Sequence, residues 1–288
     1  MNVKSKINND SSIPVVLWHG MGDVGDNPLS MGFLEFLIHQ VHPSQFIYSV
    51  MVGNTTDDDE LADFIGLVPD QIRIVRDKIR AIPQLANGFH AVGLSQGGQF
   101  LRGYVEMFND PPVINLVTLG GQHMGVYGIP DCNAPDYTIC EWVRELMDVG
   151  VYDSYVQSTL VQAQYYNDPL DQAAYQAYSL FIADINNQKP VKNPAYKQRL
   201  TQLNKFVMVQ FLNDTVVIPM ESEFFEFYVP GQDDVIQPLA ESDLSVQDFI
   251  GLKVLNESNR LIFLSTEGNH LKFTPEWFRT QIVEPFLS

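Results

Sequence analysis

The chain has 288 residues, 45% of them hydrophobic and 18% charged, which is enough apolar material for one large core and excludes a disordered or low-complexity protein. A formal charge of −18, from 17 Lys and Arg against 35 Asp and Glu, argues against nucleic acid and against anionic membranes as partners held by charge. No run is long and apolar enough to cross a bilayer, and no H-E-x-x-H, C-x-x-C or acidic calcium loop is present, so no metal or cofactor is expected.

Residues 1–13 (MNVKSKINNDSSI) are polar, lack an apolar signal-peptide core and are expected to be disordered. Pro14 to Trp18 (PVVLW) is the first strand-like run, and it opens into His19-Gly20-Met21-Gly22-Asp23. Gly20 to Gly25 spells G-x-G-x-x-G, the string that cradles a dinucleotide pyrophosphate when its last glycine enters a helix. Here Asp26-Asn27-Pro28 follows, and no acidic residue closes the next strand-like run, Gln45 to Val52. Nucleotide binding is therefore not expected. Leu29, Phe33, Phe36, Leu37 and Val41 share one helical stripe, and Val68, Ile72, Val75, Ile79 and Ile82 another. Both read as core faces. Between them Asp57-Asp58-Asp59-Glu60 reads as a solvated acidic turn before a helix.

Phe89 to Leu94 (FHAVGL) is a short apolar strand, and Gln96 to Phe108 can continue as a helix. Between them Gly93-Leu94-Ser95-Gln96-Gly97 spells G-x-S-x-G, so Ser95 falls on the sharp strand-to-helix turn of a nucleophile elbow. Gly93, Gly97 and Gly98 allow the tight turn that exposes the serine hydroxyl. The fold class expected is the α/β-hydrolase: a mostly parallel central sheet flanked by helices, in one domain from residue 14 to 288. Val113 to Leu119 (VINLVTL) supplies a further strand.

From Gly125 to roughly Tyr196 the pattern becomes rich in Tyr, Gln and Asn and is broken by prolines, which predicts short helices inserted at about 125–200. This segment reads as a lid or acyl-binding subdomain, with ordinary helix packing as the plainer alternative. Phe206 to Leu212 (FVMVQFL) is a strand with Asp214 at its tip, and Leu261 to Leu264 (LIFL) is another, followed by His270 in a loop. An elbow serine needs an acid and then a histidine later in the chain, and sites in open α/β sheets gather at the carboxyl ends of strands. Of six histidines His270 alone follows Asp214, so Ser95, Asp214 and His270 are the expected triad. His123 is the rival base, and Asp233, Asp234 or Asp243 could replace the acid. The oxyanion hole is assigned to the backbone N–H groups of Met21 and Gln96.

Across nearly the whole chain the sequence resembles the palmitoyl-protein thioesterase family of the lysosomal type. The resemblance is carried by WHGMGD (18–23), NPLSMG (27–32), GLSQGGQFLR (93–102), INLVTLGGQHMGV (114–126), LVQAQYYNDP (160–169), FLNDT (211–215) and TEGNHL (266–271). It implies hydrolysis of fatty-acyl thioesters on cysteine through a palmitoyl-Ser95 intermediate, with S-palmitoylated proteins or peptides, and palmitoyl-CoA, as substrates. The acyl chain would then lie between the sheet edge and the insertion, where each buried CH₂ contributes about 0.8 kcal/mol and favours long chains.

The chain departs from the family in having Gly25 and Asp26 where animal members carry a cysteine pair. Cys132 and Cys140 match the family's small-loop disulfide, and two free thiols are the alternative. Asn9, Asn54, Asn213 and Asn256 each begin an N-x-[ST] sequon, and Asn213 matches a family glycosylation position. The resemblance implies a lysosomal or secretory protein, while the polar N-terminus leaves a cytoplasmic one open. A broader carboxylesterase or lipase would use the same triad. A non-catalytic lipid-binding protein would keep only the groove.

Overall fold

A computed structural model describes residues 12–127 and 150–288. Among these residues the sheet has six strands in the order β2-β1-β3-β4-β5-β8, all parallel: β1 (Val15–Trp18), β2 (Ile47–Ser49), β3 (Phe89–Leu94), β4 (Val113–Leu119), β5 (Lys205–Phe211) and β8 (Leu261–Thr266). A separate antiparallel ribbon pairs β6 (Phe227–Tyr228) with β7 (Ile236–Gln237). The central strands read as continuous apolar runs because both sheet faces are covered. Val16, Trp18, Phe89, Ala91, Phe206 and Met208 enter one core, with α3 (Val68–Arg80) and α4 (Gln96–Met107). Val15, Leu17, Val92, Leu94, Val207 and Val209 enter the other, with α1 (Met31–Val41) and the C-terminal helices. Alternate residues of each strand thus feed opposite cores, and the molecule has three layers.

Two expectations need correction. The core face of α1 is Met31, Leu34, Leu37 and Ile38; Leu29, Phe33 and Phe36 face solvent, with Leu29 87% exposed. The helix carries apolar residues on adjacent faces, and the one that packs is Met31, Leu34, Leu37 and Ile38, while Leu29 precedes the helix start at Met31. The run Asp57 to Glu60 is also not a solvated turn. It lies within α2 (Thr56–Ala62), capped by the Thr55 side chain, and Asp59 is fully buried. A helix turns one of four consecutive acids inward, and here the buried one finds backbone donors from other loops.

The parallel register brings the active strand ends together. Trp18 pairs with Gly93, Leu94 with Leu119 and Phe211 with Thr266. The loops leaving β1, β3, β5 and β8 therefore start at one edge, and they carry Met21, Ser95, Asp214 and His270. Beyond β4 the described part of the insertion consists of short helices: Ser154–Thr159, Val161–Gln164, Gln172–Tyr178, Ile182–Ile185 and Pro194–Leu200. Cys132, Cys140 and Asn9 lie outside the described residues.

Candidate active site

Ser95 has φ 49° and ψ −120°, a conformation that L residues adopt only when the surroundings enforce it. Two glycines do so. A Cβ on Gly93 would lie 2.5 Å from the Gly98 Cα, and one on Gly97 would lie 2.3 Å from the His19 carbonyl oxygen. The Ser95 hydroxyl donates to His270 Nε2 at 2.9 Å, and His270 Nδ1 donates to Asp214 Oδ2 at 2.5 Å. The three residues expected from the sequence are thus joined in one relay. The other oxygen of Asp214 accepts the Val216 and Val217 N–H groups at 2.7 and 3.0 Å. Burial would raise Asp214, but hydrogen bonds from His270 and Glu223 hold it below the usual carboxylate range.

The loops bearing acid and base are fastened to each other. Asn213 N–H donates to the Gly268 carbonyl at 3.0 Å, and the Asn269 side chain accepts from Thr215 N–H and Oγ1 at 3.1 Å. Gly120, with φ +65°, leaves room for the imidazole: a Cβ there would stand 2.9 Å from His270 Cε1.

The rivals are engaged elsewhere. His123 is fully buried, hydrogen-bonded to Thr118 Oγ1 at 2.9 Å and stacked on Phe225 at 4.6 Å; burial and the Arg102 charge push its pKa well down. Asp233, Asp234 and Asp243 are exposed, the first two in the turn of the β6–β7 ribbon and the third opening a short helix. The G-x-G-x-x-G string leads through turns, with α1 starting six residues after Gly25 at Met31.

Met21 follows Gly20, whose position for a Cβ lies 3.2 Å from the Ser95 Cβ, and Gln96 opens α4 immediately after the serine. The two residues assigned to the oxyanion hole therefore flank the nucleophile. The insertion reaches both: Gln162 Nε2 donates to Met21 Sδ at 3.1 Å, and the Tyr165 hydroxyl donates to Gln96 Oε1 at 3.1 Å.

Beneath this loop is a cluster that the sequence reading missed. Asp59 accepts the N–H groups of Gly25 at 3.0 Å and Val52 at 2.5 Å, and its Oδ2 lies 3.2 Å from His19 Nε2. Asp63 accepts the Gly22 N–H at 2.7 Å and the Gln96 side chain at 3.3 Å. Burial alone would lower His19, but the hydrogen bond to Asp59 and the charge of Asp63 carry it up to about 9. Asp59 is correspondingly lowered despite burial, whereas burial dominates at Asp63 and raises it. His19 and Asp59 form an ion pair, and together with Asp63 they pin the loop that follows β1.

An open cleft of about 780 Å³ adjoins the site, lined by Met21, Leu29, Phe33, Leu94, Leu271 and Trp277 among others. On the insertion side Tyr127, Tyr152 and Tyr166 form an aromatic group, with Tyr127 and Tyr152 5.9 and 6.3 Å from Tyr166. The groove expected between sheet edge and insertion falls partly on residues outside the described ones.

The model of the family described as palmitoyl protein thioesterase matches residues 14–270. Palmitoyl-protein thioesterase 1 of Caenorhabditis elegans is 40% identical over 97% of this chain and 93% of its own. Palmitoyl-protein thioesterase 3 of Dictyostelium discoideum is 36% identical over 89% of this chain and 84% of its own, and a Drosophila melanogaster protein named lysosomal thioesterase PPT2 homolog is 29% identical over 87% and 83%. With a family model spanning both the elbow and His270, and relatives of this identity over nearly its full length, the chain belongs to the palmitoyl-protein thioesterase family.

Proposed function

We propose that this protein hydrolyses long-chain fatty-acyl thioesters on cysteine, releasing palmitate from S-palmitoylated proteins or peptides, with Ser95 as nucleophile, His270 as general base and Asp214 as its partner. The observation that carries the assignment of residues is the relay itself, with His270 within hydrogen-bond reach of Ser95 on one nitrogen and Asp214 on the other. Ser95 Oγ bonds to the acyl carbon as its proton passes to His270, and the N–H groups of Met21 and Gln96 receive the developing oxyanion. The C–S bond then breaks and His270 gives its proton to the departing thiolate. A water that loses its proton to His270 attacks the acyl-serine, and the acid leaves as Ser95 regains a proton.

Leaving sulfur and His270 must meet, and residues on both sides of that histidine, Gly268 and Leu271, line the open cleft. The cleft therefore takes the polypeptide, or the CoA of palmitoyl-CoA, that carries the thiol. The acyl chain is assigned to the insertion side, where the tyrosines lie. Leu29 and Phe33 would meet apolar residues flanking the acylated cysteine.

The lysosomal name of one relative, together with the exposure of Asn54, Asn213 and Asn256, supports a glycosylated lysosomal protein. A glycosidase-sensitive mass shift in protein from the native cell checks this.

The deciding experiment is palmitate release from an S-palmitoylated peptide by wild type and Ser95→Ala, beside the matching oxyester. Ser95-dependent turnover of the thioester supports the reading. Cleavage of the oxyester alone would make the protein a broader esterase, and no acyl-enzyme at all would make it a lipid-binding descendant.

A further inference from the structure

Behind Asp214 stands a carboxyl group that triad chemistry does not require. Glu223 lies on the short 3-10 helix Met220–Phe224 and is 1% exposed. Its Oε2 accepts the N–H of Phe211, the last residue of β5, at 2.8 Å, while among the described residues no N–H or other hydrogen-bond donor reaches its Oε1. One oxygen each of Glu223 and Asp214 and a ring nitrogen of His270 all lie within 4.8 Å of one another. Two carboxyl groups so close, one sealed from water, cannot both be ionised.

The proton has one sensible place. Asp214 is already an acceptor at both oxygens, from Val216 and Val217 on one and from His270 on the other. Protonated Glu223 can donate to it, which also gives the orphaned oxygen a partner. Burial, then the hydrogen bond to Asp214 and its charge, push Glu223 up to about 10, and the same bond helps hold Asp214 low. Around Glu223 the charged groups are Asp214 and His270 at the sheet edge and Glu221 on its own helix; β5 presents only the Phe211 N–H.

We propose that Glu223 is a positioning residue of the triad: it stays protonated, donates its proton to Asp214 and, by drawing off part of that carboxylate's charge, keeps His270 free to act as a base in acid. This rests on the triad reading above. A carboxylate that shares a neutral acid's proton is a weaker partner for imidazolium, so the enzyme must be taken to lower pH before its base is blocked. The arrangement suits a thioesterase working in an acidic compartment.

The test is the pH profile of kcat/KM on the S-palmitoylated peptide for wild type, Glu223→Gln and Glu223→Leu. Gln retains an acceptor for Phe211 and a donor for Asp214 but cannot ionise; it should keep the acid limb in place. Leu removes the donor; its acid limb should move up by about half a unit or more, so that activity is lost several-fold more in acid than at neutrality, with KM unchanged. A uniform loss with the limb fixed, or a Gln variant that behaves like Leu, overturns the proposal. Should the Leu variant not fold, the infrared difference between wild type and Glu223→Gln at neutral pH decides. The protonated-acid C=O band is expected, and its absence sinks the idea. That band reports on Glu223 even if no thioester is cleaved, which separates this proposal from the assignment of substrate.

Discussion

Two buried acid–base clusters flank Ser95, and they solve the same problem with different partners for the ionised acid. Under the loop that follows β1, Asp59 is an ionised acceptor of loop N–H groups, paired with His19. Beside His270, Asp214 is also an ionised acceptor, yet its second partner is a carboxyl that must keep its proton. A loop at the end of a parallel strand can be pinned by a full charge or by a shared proton, and which one is used decides how it responds to pH.

The comparison can be broken first at Asp214. Asp214→Asn should fold and bind substrate while kcat falls by about 10⁴-fold, because the amide favours the wrong imidazole tautomer. Asp59→Ala should act mainly through the fold, since it strands backbone donors and a buried His19; a loss of about 3 to 5 kcal/mol in denaturant unfolding is expected. If that variant lost turnover with stability intact, the oxyanion cluster would be catalytic and not structural. Gly120→Ala, at φ +65° and against the His270 ring, should cost about 1 to 2 kcal/mol, together with part of kcat.

Stability should respond to pH as a sum over the two clusters and the other buried titratable groups. His19, raised to about 9, contributes stability that is full below its ordinary 6.5 and is lost as pH rises through 9. Glu223, near 10, the buried Glu106, raised by burial against Arg102 to about 7, and Asp63, raised by burial, stay protonated in the folded state above their ordinary values, so each also loses stability as pH rises toward its folded value. Buried His90, lowered to about 4, and His123 oppose this by losing stability as pH falls below 6.5. The two sets offset between about 4.5 and 6.5, and above that the loss is unopposed, reinforced by self-repulsion of the −18 chain. Thermal scans should give a flat Tm across mild acid and a falling one through mild alkali. An equal or higher Tm in alkali would refute the assigned protonation states. The smallest effect belongs to α1: Leu29→Ser should stay within about 0.5 kcal/mol of wild type, since that side chain is 87% exposed.

What the sequence showed plainly was whatever obeys a local rule. Ser95 follows from strand, tight turn and helix in order, and Asp214 and His270 follow from lying just past apolar strands. The same logic failed where long-range geometry decides. Nothing in the run Asp57 to Glu60 tells which acid turns inward, because the donors that choose Asp59 arrive from Gly25 and Val52. Glu223 had no signal at all, sitting in an ordinary aromatic stretch whose 3-10 turn aims it at Phe211. On α1 apolar residues occupy two adjacent faces, and only packing against the rest of the molecule selects Met31, Leu34, Leu37 and Ile38 over the neighbouring Phe33 and Phe36.

The closeness of Gly97 to the His19 carbonyl has a consequence for how substrates are told apart. With so little space between elbow and oxyanion loop, nucleophile and anion cradle cannot hinge past one another; they form a single rigid jaw. Discrimination among acyl groups and polypeptides then has to be made by surfaces bolted to that jaw, not by its closing. Changes on the insertion or along α1 should retune KM while leaving the intrinsic speed of acyl transfer alone, so that chemistry and choice can evolve as separate parts.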